Sequence, residues 1–202
     1  MRRKWLVGLL FWALAVLSCS LLAGCISVPP APTRDEWEAI HIRSFPGRSP
    51  REVLDAVEKV LRAADHDFRF EYPGDRLVAT RQWTVYAVLV ISSGTDYWTI
   101  ETREVDGLTQ ASVMVTRQVA TVMPSPTVNS GGVNAWGAQS STTPGAPYQG
   151  RASYDLFWDR VAAVLEGKPW VSCDERKKSL PRKERGGLDL LCSVTTDDNR
   201  PS

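Results

Sequence analysis

The sequence predicts an α+β domain in which an antiparallel sheet has two helices packed on one face. Two stretches, 49–65 and the residues from Ser153 to a stop at Gly167, repeat apolar residues at the spacing of a half-buried helix. Between and before them lie shorter alternating stretches separated by turn sequences, a pattern typical of antiparallel strands. Separate helices combined with a run of strands are typical of the α+β class.

The first predicted strand begins near Glu38. Ile40, Ile42 and Phe45 lie on related faces of an alternating stretch, and Pro46-Gly47 ends it.

The first predicted helix covers 49–65. Ser49 can cap it, Pro50 suits the first helical position, and Glu52 completes a capping box with Ser49. Its apolar stripe consists of Val53, Leu54, Val57, Val60, Leu61 and Ala64.

The middle of the chain predicts several strands. Alternating aromatic residues over 68–72 predict a strand that stops at Pro73-Gly74-Asp75, which suits a type II turn. A strand over 77–82 follows, and 83–91 either continues it or forms another strand before a turn at 92–94.

Two further strands are predicted over 97–105 and 108–120. They are joined at Asp106-Gly107, and Asp-Gly between alternating runs is the strongest short signal for a hairpin.

The next segment is uncharged. No charged residue occurs between Arg117 and Arg151, and 123–150 is rich in Pro, Ser, Thr, Gly and Asn, which predicts a long loop. It is either a flexible insertion or a surface that contacts a partner or a membrane. In the second case Trp136 and Tyr148 would be its aromatic anchors.

The second predicted helix begins at Ser153, which can cap it, with Asp155 placed well in the first turn. Gly167 ends it. Its apolar stripe consists of Tyr154, Phe157, Trp158, Val161, Val164 and Leu165.

The C-terminal segment, 171–202, is predicted to be a basic tail that contains Cys173 and Cys192. In an exported chain a disulfide between the two is the simplest interpretation. The alternatives are that the two cysteines bind a metal or that one is a reactive thiol. Neither has support, because no histidine lies nearby and the spacing is not Cys-x-x-Cys. The basic residues predict either a solvated loop or a contact with anionic lipid or an acidic partner.

The chain begins with a basic tetrapeptide followed by an uncharged apolar run over 5–22. The run ends in Leu22-Ala23-Gly24-Cys25, which resembles the lipobox of bacterial lipoproteins. The resemblance implies that 1–24 is a cleaved signal peptide and that Cys25 carries lipid. The alternative is an uncleaved membrane helix, since about 20 apolar residues can span a bilayer.

The same resemblance predicts the arrangement around the anchor. A Pro-rich spacer over 25–36 would separate the membrane from a domain over 37–170. Ile26 follows the cysteine, where an Asp is the usual inner-membrane retention signal, so in a host with two membranes the periplasmic face of the outer membrane is the expected location.

Composition and motifs argue against several classes of function. Removing 1–24 leaves 21 basic against 23 acidic residues, and this net charge of −2 argues against a nucleic-acid partner. Hydrolase, zinc-protease, phosphate-loop and dinucleotide motifs are absent. His41 lies in a predicted strand, and the side chains of Asp65-His66-Asp67 point in different directions, so we expect no metal and no cofactor.

The predicted element order over 38–167 loosely resembles the helix-grip domains of a lipoprotein in the outer-membrane assembly machinery. The resemblance lies in architecture and lipidation, and it transfers no functional residue. It implies a non-catalytic envelope lipoprotein that binds another envelope protein, with no small-molecule substrate identified. The alternatives are a carrier that holds a small hydrophobic ligand or lipid between the sheet and the helix over 154–165, or an envelope enzyme without a recognisable motif.

Overall fold

A computed structural model describes residues 32–87, 90–129, 132–188 and 190–192, and these form an α+β structure. The proposed signal peptide and Cys25 lie outside the described residues. The helices are α1 (Arg34–His41), α2 (Pro50–Ala64), α3 (Arg151–Glu166), α4 (Cys173–Ser179) and a 3-10 helix (Arg182–Leu188). The strands are β1 (Ile42–Phe45), β2 (Arg69–Glu71), β3 (Arg76–Ala87), β4 (Val90–Val105), β5 (Leu108–Asn129) and β6 (Gly132–Pro147).

The strands form one antiparallel sheet of six strands, as the α+β prediction requires. Its order is β1-β5-β4-β3-β2, and β6 also pairs with β5. Strand β5 is long enough to pair with two strands along the same side. It pairs with β1 over 109–112 and with β6 from Thr116 onward.

The prediction of a strand beginning near Glu38 is wrong, because residues 34–41 form helix α1 and only Ile42–Phe45 is a strand. Contacts one helical turn apart explain the difference. The ring of His41 stacks on Trp37 at 4.5 Å between centroids, and His41 Nδ1 lies 2.9 Å from the Trp37 carbonyl oxygen. The indole of Trp158 then donates to the Ile40 carbonyl at 3.0 Å, which attaches α1 to α3.

The capping box of α2 is confirmed. The Glu52 amide donates to the Ser49 hydroxyl at 3.3 Å, and the Ser49 amide donates to the Glu52 carboxylate at 2.8 Å. All six predicted stripe residues are buried.

Of the two turns predicted at 92–94 and 106–107, the structure contains one. The hairpin at Asp106-Gly107 is confirmed, with φ of 52° and 75° at its two residues. The predicted turn at 92–94 is wrong, because these residues pair with 83–85 inside a β3–β4 ladder that continues to Ala87 and Val90.

The predicted loop over 123–150 is also different in the structure. Strand β5 continues to Asn129, and β6 returns beside it to Pro147. Pro124 and Pro126 suggested a loop, but they lie beyond Val122, where the pairing of β5 with β4 ends. An outer edge tolerates proline, since the missing N–H is not needed by the ladder there.

Helix α3 begins two residues before Ser153, after a cap at Gly150 without a side-chain hydrogen bond. Ser153 is buried within the helix. The predicted stop at Gly167 is confirmed by its left-handed backbone, with φ of 66°.

One face of the central strands is buried in the hydrophobic core. Residues in register across three strands form two fully apolar rows, Leu77–Ile100–Val113 and Ala79–Trp98–Val115. The ring of Phe157 on α3 lies 5.2 Å from that of Trp98. The stripe of α2 belongs to the same buried cluster.

The segment predicted as a basic tail contributes to this core. The sulfur atoms of Cys173 and Cys192 lie at disulfide-bonding distance, with their Cα atoms 5.7 Å apart. Leu188, Leu190 and Leu191 are completely buried. Residues 193–202 lie outside the described part. Within the described residues, no helix combines the length and the apolar composition needed to cross a membrane.

Candidate interaction surface

A row of three charged residues follows the apolar rows on the buried face of the sheet. Arg81 on β3, Asp96 on β4 and Arg117 on β5 are in register across the sheet. Asp96 receives a hydrogen bond from Arg81 at 2.7 Å and two from Arg117 at 2.6 and 3.1 Å. The indole of Trp83 donates to the same carboxylate at 3.3 Å.

Burial makes this charged row a structural constraint on the sheet. Asp96 is fully buried and the side chain of Arg81 is only 3% exposed. Arg81 also lies 3.6 Å from the Asp65 carboxylate at the end of α2. Buried charges are tolerated only when they are paired and hydrogen-bonded, and a slip between these strands would leave a buried charge without its partner.

The strands continue beyond the charged row, and we call this part the extension: residues 82–87, 90–95, 118–129 and 132–147. The sequence has no charged residue between Arg81 and Asp96 or between Arg117 and Arg151. The extension is therefore entirely uncharged, and charged residues bracket it at its base. Its strand order is β6-β5-β4-β3.

The extension has two outer edges without a paired strand among the described residues. Pairing of β3 with β2 ends at Thr80, so 81–87 has a neighbour on one side only. The outer side of β6 forms the other edge. Near the β3 edge the apolar side chains of Val85 and Tyr86 are 54% and 78% exposed. Exposed edges usually carry charges that prevent pairing with other chains, and here such charges are missing.

Gly94 has no side chain, and this leaves space for the ring of Trp83 to lie against the sheet at the base of the extension. A Cβ at Gly94 would lie 2.5 Å from Cζ2 of Trp83 and would also collide with the Gln118 carbonyl oxygen. The glycine that suggested a turn therefore permits a close approach within a strand.

Of the two predicted aromatic anchors, Trp136 lies on the extension and Tyr148 directly follows its last strand. The amide of Tyr148 donates to the Val115 carbonyl at 2.8 Å, and its half-buried ring lies 5.4 Å from the Arg117 guanidinium. Trp136 pairs with Pro126 in the distal part of β6. The β5 residues beside the two anchors, Pro126 and Val115, are eleven positions apart, which corresponds to roughly 36 Å of strand.

Tyr154 on α3 holds the chain at Tyr148. Its hydroxyl donates to the Tyr148 carbonyl at 3.0 Å. Burial raises the pKa of Tyr154 to about 12, so the hydroxyl remains a protonated donor even in alkaline solution above pH 10. Tyr148 therefore marks the fixed base of the extension.

The histidines occupy structural positions. His41 is buried in α1 against Trp37 and Tyr154. His66 is exposed in the turn after α2, where the Asp67 amide donates to the Asp65 carboxylate at 3.0 Å. Among the described residues, no group of three or more His, Cys, Asp or Glu is placed to hold a metal ion.

The charged row is not among the sequence predictions, although the sequence contains a signal for it. A second, shorter uncharged run over 82–95 ends at Asp96, as the longer run before Arg151 begins after Arg117. Comparison with known proteins adds no identification, since no family model, no curated protein and no solved structure matches the chain.

Proposed function

We propose that this chain is a non-catalytic envelope lipoprotein, anchored at the periplasmic face of the outer membrane, that binds another envelope component through its extension. One observation carries the proposal. In the part of the chain that the structure describes, an uncharged group of four strands has two edges without a paired strand, and the charged row lies at its base.

Unpaired edges favour a protein partner that adds a strand. Each edge presents backbone N–H and C=O groups that an extended segment of another chain can satisfy. The charged row of Arg81, Asp96 and Arg117 fixes the strands at the base, so an incoming strand meets an ordered template. Ordering before binding lowers the entropic cost of association.

The membrane anchor is proposed from sequence alone. Leu22-Ala23-Gly24-Cys25 follows an apolar run, and a Pro-rich spacer follows the cysteine. Two or three acyl chains on Cys25 would hold the protein stably, whereas one chain binds only marginally. Replacing Cys25 with Ser should abolish lipid labelling and leave an unprocessed precursor, and normal processing of Cys25→Ser would refute the anchor.

We also propose that α2 and α3 cover the same face of the sheet, as in helix-grip domains. In support, both apolar stripes share one buried cluster with alternate residues of β3, β4 and β5. The buried rings of Trp98 and Phe157 lie 5.2 Å apart between sheet and α3, which favours a packed core over the alternative of a hydrophobic ligand held there.

The binding proposal is tested by placing a charge beside the β3 edge. Val85→Lys puts a lysine on a side chain that is already 54% exposed, so the fold should tolerate it. Val105→Lys is the matched control, since Val105 is 38% exposed at the other end of the sheet. Each variant is extracted in mild detergent and its co-purifying proteins are quantified.

We expect Val85→Lys to retain about tenfold less partner than the wild type, equivalent to about 1.4 kcal/mol. Val105→Lys should retain as much partner as the wild type. A wild-type protein that elutes as a clean monomer without a partner would contradict the proposal, as would equal retention by both variants.

A further inference from the structure

The two edges of the extension have matching positions in the sheet. Residues in register across all four strands form rows, the first running Trp83–Gly94–Val119–Thr143 and the last Tyr86–Ile91–Val122–Ser140. The free part of β3 therefore lies level with 140–143 of β6. Four residues of strand are about 13 Å long, enough for several hydrogen bonds.

Both edges end at the same level of the sheet. On β3 the free edge begins after Thr80, where pairing with β2 stops. On β6 the regular ladder ends at Thr143, because a register shift opposite Arg117 and Val119 takes up Pro144 and Gly145. Bulges and prolines commonly end strand pairing at sheet edges.

Strand direction makes the two edges complementary. Each strand of the extension is antiparallel to its neighbour, so β3 and β6 run in opposite directions. When two copies stand side by side in the same orientation, β6 of one copy meets β3 of the next as an antiparallel neighbour. The join therefore continues the existing hydrogen-bonding pattern, which an odd number of strands would break.

The side chains beside the edges permit this pairing. Ser141, Thr142 and Thr143 are exposed on β6, and Val85 and Tyr86 are exposed on β3. Cross-strand pairs of β-branched, hydroxyl and aromatic residues are favourable. With no charge in either segment, copies meet without electrostatic repulsion.

We infer that the partner of the extension is a second copy of this chain, and that the β3 edge of one copy pairs with the β6 edge of the next. The inference deepens the proposed function and rests on its assignment of the extension as the binding surface. Such a head-to-tail contact uses one edge of each kind and leaves the other edge of each copy available. Further copies can therefore bind, and the assembly is either a closed ring or an open filament.

Disulfide trapping in the full-length protein tests this contact. Val85→Cys and Ser141→Cys are placed in the same chain, and membranes are oxidised before non-reducing electrophoresis. The two positions lie in one row but three strand spacings apart, roughly 14 Å, so a bond within one chain is excluded. Pairs of Val85→Cys with Ser140→Cys or Thr142→Cys cover a shift in register.

We expect at least one of these double variants to give a ladder of dimers, trimers and larger species that collapses on reduction. Val105→Cys combined with Ser141→Cys should remain monomeric. A dimer formed by Val85→Cys alone, with no ladder from any pair, would overturn the inference in favour of a two-fold contact between β3 edges. Absence of any cross-link from all pairs would also overturn it.

Failure of the second-copy inference can be distinguished from failure of the proposed function. If Val85→Lys releases a different envelope protein while no pair cross-links, the proposed function stands and the second copy is excluded. A second test adds Val85→Lys to a cross-linking pair at other edge positions, such as Tyr86→Cys with Ser140→Cys. If this pair gives a ladder and Val85→Lys abolishes it, the second copy is supported as the partner.

Discussion

Replacing Asp96 with Asn should destabilise the protein far more than its small change in shape suggests. Asp96 is the only acidic residue in the charged row, and it is fully buried between Arg81 and Arg117. The variant keeps an amide of the same size but leaves two guanidinium groups facing a neutral side chain. The row would change from net charge +1 to +2 inside the sheet.

The magnitude follows from how well each arginine is compensated afterwards. Removing one partner of a buried ion pair costs about 3–5 kcal/mol. Arg81 keeps the Asp65 carboxylate at 3.6 Å, and the side chain of Arg117 is 20% exposed. Both features place the expected loss at the lower end, about 3 kcal/mol, which lowers the melting temperature by roughly 6–12 °C for a chain of this length.

Glu101→Gln supplies the matched control on the same strand. Glu101 pairs with Arg76 across β3 and β4, but the two side chains are 53% and 50% exposed. An exposed pair contributes less than about 1 kcal/mol. Thermal and urea unfolding of the purified protein, followed by circular dichroism, measures both variants against the wild type.

A loss of unfolding free energy in Asp96→Asn no larger than that in Glu101→Gln would contradict a stabilising role of the buried carboxylate. It would mean that water or rearrangement compensates the arginines. The charged row would then no longer explain why the extension has a fixed base.

Three further perturbations separate local effects by their physical cause. Gly94→Ala should cost about 1–3 kcal/mol because its Cβ meets the Trp83 ring. Gly145→Ala, with its nearest contact at 4.0 Å, should be close to neutral in the same unfolding assay. The Ser49 amide and hydroxyl hold the pKa of Glu52 below its ordinary 4.5, so its contribution is complete above pH 4.5 and is lost as the pH falls through the folded-state pKa. The difference in melting temperature between wild type and Glu52→Gln should therefore narrow in acid, and a constant difference would contradict this. Reducing the Cys173–Cys192 disulfide should lower the free energy of unfolding by about 3 kcal/mol. If both thiols of the native protein were alkylated without reductant, the disulfide would be excluded.

Much of the fold could be predicted because the relevant interactions are local. The capping box of α2, the Asp-Gly hairpin and the glycine that ends α3 depend on residues within one turn of each other. Alternation identified the central strands, since one face of the sheet is buried and the other is not.

The errors have two sources. Residues 38–42 alternate, but the contact between His41 and Trp37, one turn apart, favours a helix, and a hydrogen bond from Trp158, far away in the chain, attaches α1 to α3. The strands over 123–147 look like a loop because proline, glycine and serine are poor strand formers. Pairing between β5 and β6 outweighs those propensities.

The candidate surface divides in the same way. The charge distribution, with an uncharged run before Arg151, the cysteine pair and a lipobox-like segment at Cys25, can be recognised without a structure. That two uncharged runs lie side by side next to Arg81, Asp96 and Arg117 follows from the pairing of the folded strands. Register between strands depends on contacts between residues far apart in the chain, and no local pattern records which row a residue will join.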